Sequence, residues 1–204
     1  YIMCDAGSGK YRLGLRTYII GASCTSQSGF EPLINIMNSV TESTQETSQF
    51  GILEGGNVLY VAKKDSPQAI RMISWVGTKL PANATAIGKA LLSDLTDEQI
   101  RDLYRDGLPK LTEHTISDMD LLLGQIEQIR CGEIATETEE STPQMRCFAV
   151  PIRQNGRVDA ALSISVPIFR YTDEKRVQIC QCLREAQQQI EQLVGLYNFE
   201  LIKP

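Results

Sequence analysis

Apolar residues recur along this chain with two different periods, and the switches between them divide it into blocks. The first residues follow neither period. DAGSG (5–9) is a turn-rich cluster and YRLG (11–14) reads as the end of a short hairpin. Leu15, Tyr18, Ile19 and Ala22 then fall at i, i+3, i+4 and i+7, one face of a helix. A second helix is predicted from about Gly29, with Pro32 tolerable in its first turn and Leu33, Ile34, Ile36, Met37 and Val40 as its apolar positions.

From residue 46 the spacing shortens. ETSQFGIL (46–53), the turn EGGN (54–57) and VLYVA (58–62) predict a hairpin, and the alternating AIRMISW (69–75) a third strand. After Gly77 and Pro81 the pattern lengthens again, predicting a helix over 84–92. TDEQ (96–99) is a capping box opening a helix to about Arg105, and Ser117 caps another over 118–130, ended near Gly132. Three strands follow at 133–138, 145–153 and 157–166, the last two joined by the hairpin turn QNG (154–156). Thr172 caps a long terminal helix carrying Val177, Ile179, Leu183, Ile190, Leu193 and Leu196.

Hairpin-linked strands alternating with blocks of helices favour an α+β fold built on an antiparallel sheet over a doubly wound parallel one. Composition agrees with a single globular domain: 204 residues, 42% hydrophobic and 22% charged. A net charge of −5 leaves no basic footprint, so strong phosphate-mediated nucleic-acid binding by this chain is not expected. No apolar run approaches the roughly 20 residues of a membrane-spanning helix, and the N-terminal stretch lacks the layout of a secretion signal. The six cysteines, scattered without a repeated spacing, read as reduced cytoplasmic thiols. Cys180 and Cys182, two apart on a helix, point in different directions and make poor joint ligands, so no metal and no cofactor is expected.

Candidate chemistry is sparse. Gly88-Lys89 ahead of an apolar run suggests a phosphate-binding loop, but the first glycine of that motif is Asn83 here and its hydroxyl residue is Ala90. The wrap of amides and the magnesium ligand are both missing. His114, the sole histidine, sits in a polar connector and reads as solvated. Cys147 could pair with it as a nucleophile, but the apolar strand MRCFAVPI favours a buried, inert thiol. In ETEE (137–140) strand alternation puts Glu137 and Glu139 on one face, with Glu139 read as a solvated strand end. Ser163 and Ser165 share a face while Leu162, Ile164 and Val166 take the other. Those buried hydroxyls require partners, which a small polar ligand, water or the next strand would supply equally well.

Several stretches, in order, resemble the effector-binding part of IclR-type (isocitrate lyase regulator) transcriptional regulators. They are YRLG (11–14), VGTKLP (76–81) with ATAIGKALL (84–92), Glu139-Glu140 with RCFAVP (146–151), and ALSIS (161–165). The resemblance implies a GAF- or profilin-like antiparallel sheet of about six strands, flanked by helices, over residues 25–204. Residues 1–24 then correspond to the tail of the wing and the linker helix of a winged helix-turn-helix whose recognition helix lies outside this chain. It further implies a small organic or sugar acid held between the sheet and a covering loop and helix, with no catalysis. Leu80, Ala86 and Ile87 match the segment whose amides hold the acid, Met72 an apolar wall, and Glu137, Cys147, Ser163 and Ser165 the sheet-side lining. DNA would be reached only through the helix-turn-helix domain, in a homodimer or homotetramer. The departures are Gln144 where glycine is common, Asn83 in place of a frequent histidine, and Ala86 at a position that is glycine in some members. The rival readings are a cysteine-dependent enzyme acting through Cys147 and a ligand-free dimerisation module.

Overall fold

The protein's computed structural model describes residues 1–5, 7–17, 19–21, 30–72 and 74–197. Strands β1 (Ile2–Cys4) and β2 (Tyr11–Leu13) form a separate two-stranded antiparallel sheet. Residues 15–17 and 19–21 are helical, while Tyr18, Ala22 and Cys24 of the predicted first helix lie outside the described residues. Helix α1 (Phe30–Thr44) comes next, followed by the hairpin β3 (Thr47–Glu54) and β4 (Asn57–Lys64). After a long arch come β5 (Lys79–Pro81), α2 (Ala86–Leu92), α3 (Asp97–Leu103) and α4 (Met119–Arg130). Strands β6 (Ala135–Thr138), β7 (Met145–Gln154) and β8 (Arg157–Pro167) precede α5 (Asp173–Tyr197).

The main sheet is antiparallel, six-stranded and ordered β5-β4-β3-β8-β7-β6, so the two hairpins meet at the β3–β8 pairing. Side-chain alternation gives it two buried faces. One presents Phe50, Ile52, Phe148, Val150, Leu162, Ile164 and Val166 to α1 and α5. The other carries Val58, Tyr60, Ala135, Cys147, Ala149 and Ala161 beneath α2 and α4. Asn155 and Gly156 both take positive φ, which turns β7 into β8 in the way the Asn-Gly pair predicts.

Two glycines allow α2 to sit close. A Cβ at Gly88 would lie 2.2 Å from the Ala82 carbonyl oxygen. One at Gly51, on β3 below, would lie 2.8 Å from Val58 and 3.3 Å from Ile87. Gly88 is thus a packing residue.

The predicted third strand is corrected. Residues 69–72 and 74–75 are not extended strand, and β5 lies later, at Lys79–Pro81. The open edge of β4 is taken instead by residues 77–81. Gly77 N–H donates to the Tyr60 carbonyl and Tyr60 N–H to that of Thr78, and β5 pairs with Asn57 to Leu59. Residues 65–72 and 74–78 therefore arch over the sheet as a strap. Elsewhere the corrections are small. Thr85 is extended and splits the predicted 84–92 helix into a 3-10 turn (Ala82–Ala84) and α2. Asp118, not Ser117, caps α4. The capping box of α3 forms with both hydrogen bonds, though the helix ends at Leu103.

Candidate functional site

The face under α2 carries a transverse row of polar side chains. Glu137 on β6 stands opposite Cys147 on β7, Cys147 opposite Ser165 on β8, and Ser165 opposite Thr47 on β3. The adjoining row runs Ala149, Ser163, Gln49 and Lys63. Four of the sequence-predicted site residues, Glu137, Cys147, Ser163 and Ser165, are therefore neighbours on one buried surface.

They are bonded together. Cys147 Sγ donates to Ser165 Oγ (3.3 Å), whose own proton goes to Gln49 Oε1 (3.0 Å). Ser163 Oγ reaches the Gln49 carbonyl at 3.5 Å. The next strand, one of the partners the sequence left open for these hydroxyls, serves them through Gln49. Glu137 accepts from the Glu140 amide (2.8 Å) and from Ser141 Oγ (3.1 Å). Burial pushes the Glu137 carboxyl above the usual range, against the donors Cys147, Glu140 N–H and Ser141 that pull it back. Burial, then the adjacent Glu137, raises the Cys147 thiol well above an ordinary cysteine.

Alternation failed at the end of β6. Glu139 has φ of 57°, so the strand stops at Thr138 and the chain turns in the left-handed region. Glu140, not Glu139, is swung into the interior. There it meets Lys89 of α2 at 2.5 Å, a pair in which Lys89 is fully buried. Burial lowers the Lys89 pKa, opposed by Glu140. Glu139 is half-buried and closes the 139–144 loop by accepting from Gln144 N–H (2.8 Å). Gln144 itself has φ of 61°, a conformation that favours glycine.

Above the row lies the start of α2. Thr85 Oγ1 accepts from Gly88 N–H (3.0 Å), and the Lys89 amide donates to the Thr85 carbonyl. Among the described residues the amides of Ala86 and Ile87 have no acceptor, although Ala86 is fully buried and Ile87 2% exposed. Nearby Asn83 donates to the Pro109 carbonyl, while its buried Oδ1 has no partner. Leu80, on β5, is half-buried against the same apolar cluster as Ala86, Ile87 and Cys147. Met72 lies apart from that cluster. It is a buried residue of the strap itself, lining a cavity of about 430 Å³ with Lys63, Asp65, Arg71, Ser74, Trp75 and Val76.

His114 is half exposed beside Glu113 and Glu139, as a solvated histidine should be. Sequence reasoning missed Gln49, Tyr60, Lys89 and Glu140. The signal for Gln49 was present: Thr47, Gln49 and Gly51 alternate with Ser48, Phe50 and Ile52 along a strand buried on both faces. Tyr60 is buried, and its phenol is pushed up by burial and then by the nearby Cys147 and Glu137.

Comparison with known proteins places these features in a wider set. Residues 30–192 match the family model described as bacterial transcriptional regulator IclR C-terminal. Over 203 residues the chain is 30% identical to the HTH-type transcriptional regulator KdgR of Escherichia coli (strain K12), covering 98% of this chain and 77% of that protein. The KdgR of Dickeya chrysanthemi is also 30% identical, over 98% of this chain and 66% of its own length. Among solved structures, a transcriptional regulator from Rhodococcus sp. RHA1 matches with a TM-score of 0.81 at 30% identity, covering 89% of this chain and 76% of that one.

Proposed function

Because the chain belongs to the IclR family of bacterial transcriptional regulators and carries its effector-binding domain, we propose that it senses a small polar organic acid, of the sugar-acid kind, between α2 and the polar row. The observation that carries this reading is the pairing of two features across one interface. Above are two buried helix-start amides that have no acceptor among the described residues, which suit a carboxylate. Below are Glu137, Cys147, Ser163 and Ser165, which suit hydroxyl and carbonyl oxygens. Glu137 would repel an anion if ionised; burial raises its pKa, and this reading requires the protonated carboxyl, donating to a ligand oxygen. Leu80 supplies an apolar wall, whereas Met72 lines the separate cavity beside Ser74.

In this reading residues 1–24 are the end of a winged DNA-binding unit and its linker helix, and residues 25–204 the sensor. The protein acts in the cytoplasm as a homodimer or homotetramer, touches DNA through its helix-turn-helix domain, and needs no cofactor. Effector binding shifts the DNA-binding arms by favouring one of two arrangements. Catalysis through Cys147 is disfavoured, since its thiol is buried and raised in pKa.

Calorimetry with glycolate, D-gluconate and D-glucuronate tests the assignment. Saturable heat without turnover is expected, strengthening with the number of ligand hydroxyls. Ser165→Ala combined with Glu137→Gln should weaken binding at least tenfold while the protein stays folded. Unchanged affinity in that double variant would sink the site. Turnover that vanishes in Cys147→Ala would instead establish the enzyme.

A further inference from the structure

Gln49 touches both the floor of the site and the strap above it. Its side chain is buried in the central strand β3, where Oε1 accepts the Ser165 proton at 3.0 Å and Nε2 donates to Ser74 Oγ at 2.6 Å. Ser165 has one hydrogen, and it is committed to Gln49; Cys147 already donates to its oxygen. A ligand oxygen that takes this hydrogen must displace Gln49. A buried amide cannot be left without partners at low cost, so the displaced group has to turn toward the ligand or move. Either movement pulls on Ser74.

The strap is built to register such a pull. Its ends are fixed by Gly77 N–H to the Tyr60 carbonyl, Tyr60 N–H to the Thr78 carbonyl, and Ser66 N–H to Thr47 Oγ1. Its middle is held by side chains: Gln49 to Ser74 Oγ, and Lys63 Nζ to the Ser74 carbonyl at 2.8 Å. Gln49 and Lys63 are opposite one another in the β3–β4 register, so one cross-strand pair holds Ser74 by both its hydroxyl and its carbonyl. Next to Ser74 is Trp75, 73% exposed and the only tryptophan in the chain.

We propose that Gln49 is a further effector-responsive residue, competing with a ligand oxygen for the Ser165 proton and passing that exchange to Ser74 and the strap. This rests on the effector site assigned above. Gln49 is then a positioning residue for the strap and sets a threshold for binding. Only ligands offering an oxygen to Ser165 trigger the exchange.

The test uses the whole chain and D-gluconate. In the parent protein, Trp75 emission should change with the same midpoint as the calorimetric heat. Gln49→Leu should tighten D-gluconate binding, by roughly tenfold at most, the exchange value of one neutral hydrogen bond, and abolish the Trp75 response. Ser74→Ala, a change in the strap, should keep the affinity within about twofold, since it removes none of the ligand's partners. It too should lose the Trp75 response. Weaker or unchanged affinity in Gln49→Leu, or a retained Trp75 response in Ser74→Ala, overturns the proposal. If no acid binds the parent protein, the effector assignment fails and the relay is read without ligand. Ser165→Ala should then raise hydrogen exchange of amides 74–78, and Ile164→Val on the opposite face should not. Equal exchange in the two overturns the relay independently of any ligand.

Discussion

The two faces of the central sheet are buried to the same degree and are made by the same strands, yet their chemistry differs. Under α1 and α5 the inward residues of β3, β7 and β8 are mostly apolar, among them Phe50, Ile52, Phe148, Val150, Leu162, Ile164 and Val166, with Ser48 bonded to Thr41 of α1. Under α2 and α4 the same strands contribute Thr47, Gln49, Cys147, Ser163 and Ser165, joined by Glu137, Lys89 and Glu140. A fold gains stability from the first arrangement, about 1.5–3 kcal/mol for each large side chain fully buried. The second returns little, because each polar group must first replace the water it loses. Both faces carry an apolar cluster, but only the one under α2 and α4 also keeps a row of costly polar groups in a bonded, organised state. Sensors need that division: a surface able to exchange partners, backed by one that does not move.

The largest expected effect tests whether the polar face is as indifferent to stability as this contrast suggests. Lys89→Met strands the Glu140 carboxylate in the interior, and breaking a buried pair from one side costs about 3–5 kcal/mol. Lys89→Met with Glu140→Met should recover most of that loss, because the cost lies in the unpaired charge. Chemical denaturation of the two variants measures the difference. If the double variant is no more stable than the single, the pair contributes more than it costs and the contrast between the faces is too sharp.

The reciprocal change is Leu162→Ala, on the apolar face. It should cost about 2–5 kcal/mol, the transfer energy plus the cavity left behind. D-gluconate affinity, measured well below the unfolding midpoint, should stay within about twofold, since Leu162 points away from the polar row. A large loss of affinity would mean that the faces communicate through the strand itself.

Much of this division was legible in the chain. Alternation in ALSIS separated Ser163 and Ser165 from Leu162, Ile164 and Val166, and the structure keeps them on opposite faces. The capping box at Thr96 and the Asn155-Gly156 turn worked because their signals are local and complete within four residues. Two readings went wrong for non-local reasons. AIRMISW alternates like a strand, but the β4 edge it would need is occupied by Gly77 to Pro81. Glu140 was hidden because a left-handed Glu139 breaks the alternation that placed it outside, and nothing in ETEE announces that conformation. Gln49 illustrates a third limit. A single buried glutamine gains meaning only when Ser165 and Ser74, far away in sequence, are seen at its two ends.

Acidity gives a smaller test, aimed at Glu137. Its pKa in the folded protein is raised, chiefly by burial, so the fold prefers the neutral acid. The contribution is fully present below the unfolded value of about 4.3 and is lost as pH rises through the folded value. Glu137→Gln should therefore flatten the fall in stability above about pH 4.3. Lys89 acts in the opposite sense. Its folded pKa is lowered by burial, so its effect is a rise in stability with pH that ends near its unfolded value of about 10.4. Melting curves across the acid range separate the two. If Glu137→Gln leaves the acid limb unchanged, Glu137 is ionised in the folded protein and cannot donate to an acid ligand.

The smallest effect concerns the loop that closes the polar face. Glu139 and Gln144 both adopt positive φ, and Gln144 N–H and Nε2 both bond to Glu139 Oε1. A non-glycine residue in the left-handed region carries about 1–2 kcal/mol of strain. Gln144→Gly removes it, keeps the backbone bond, and gives up the exposed side-chain bond at 3.2 Å. Glycine's greater freedom in the unfolded chain takes back roughly 0.5–1 kcal/mol, so the net gain should be under about 1 kcal/mol. Because Glu139 is held by this loop and Glu140 follows it into the interior, the substitution also tests whether the loop's stiffness organises the site. Unchanged D-gluconate affinity with a slightly higher denaturation midpoint would leave that organisation with Lys89 and Glu137. Weaker binding in a more stable protein would show that the strained Gln144 turn is what holds Glu140, and through its amide Glu137, in place.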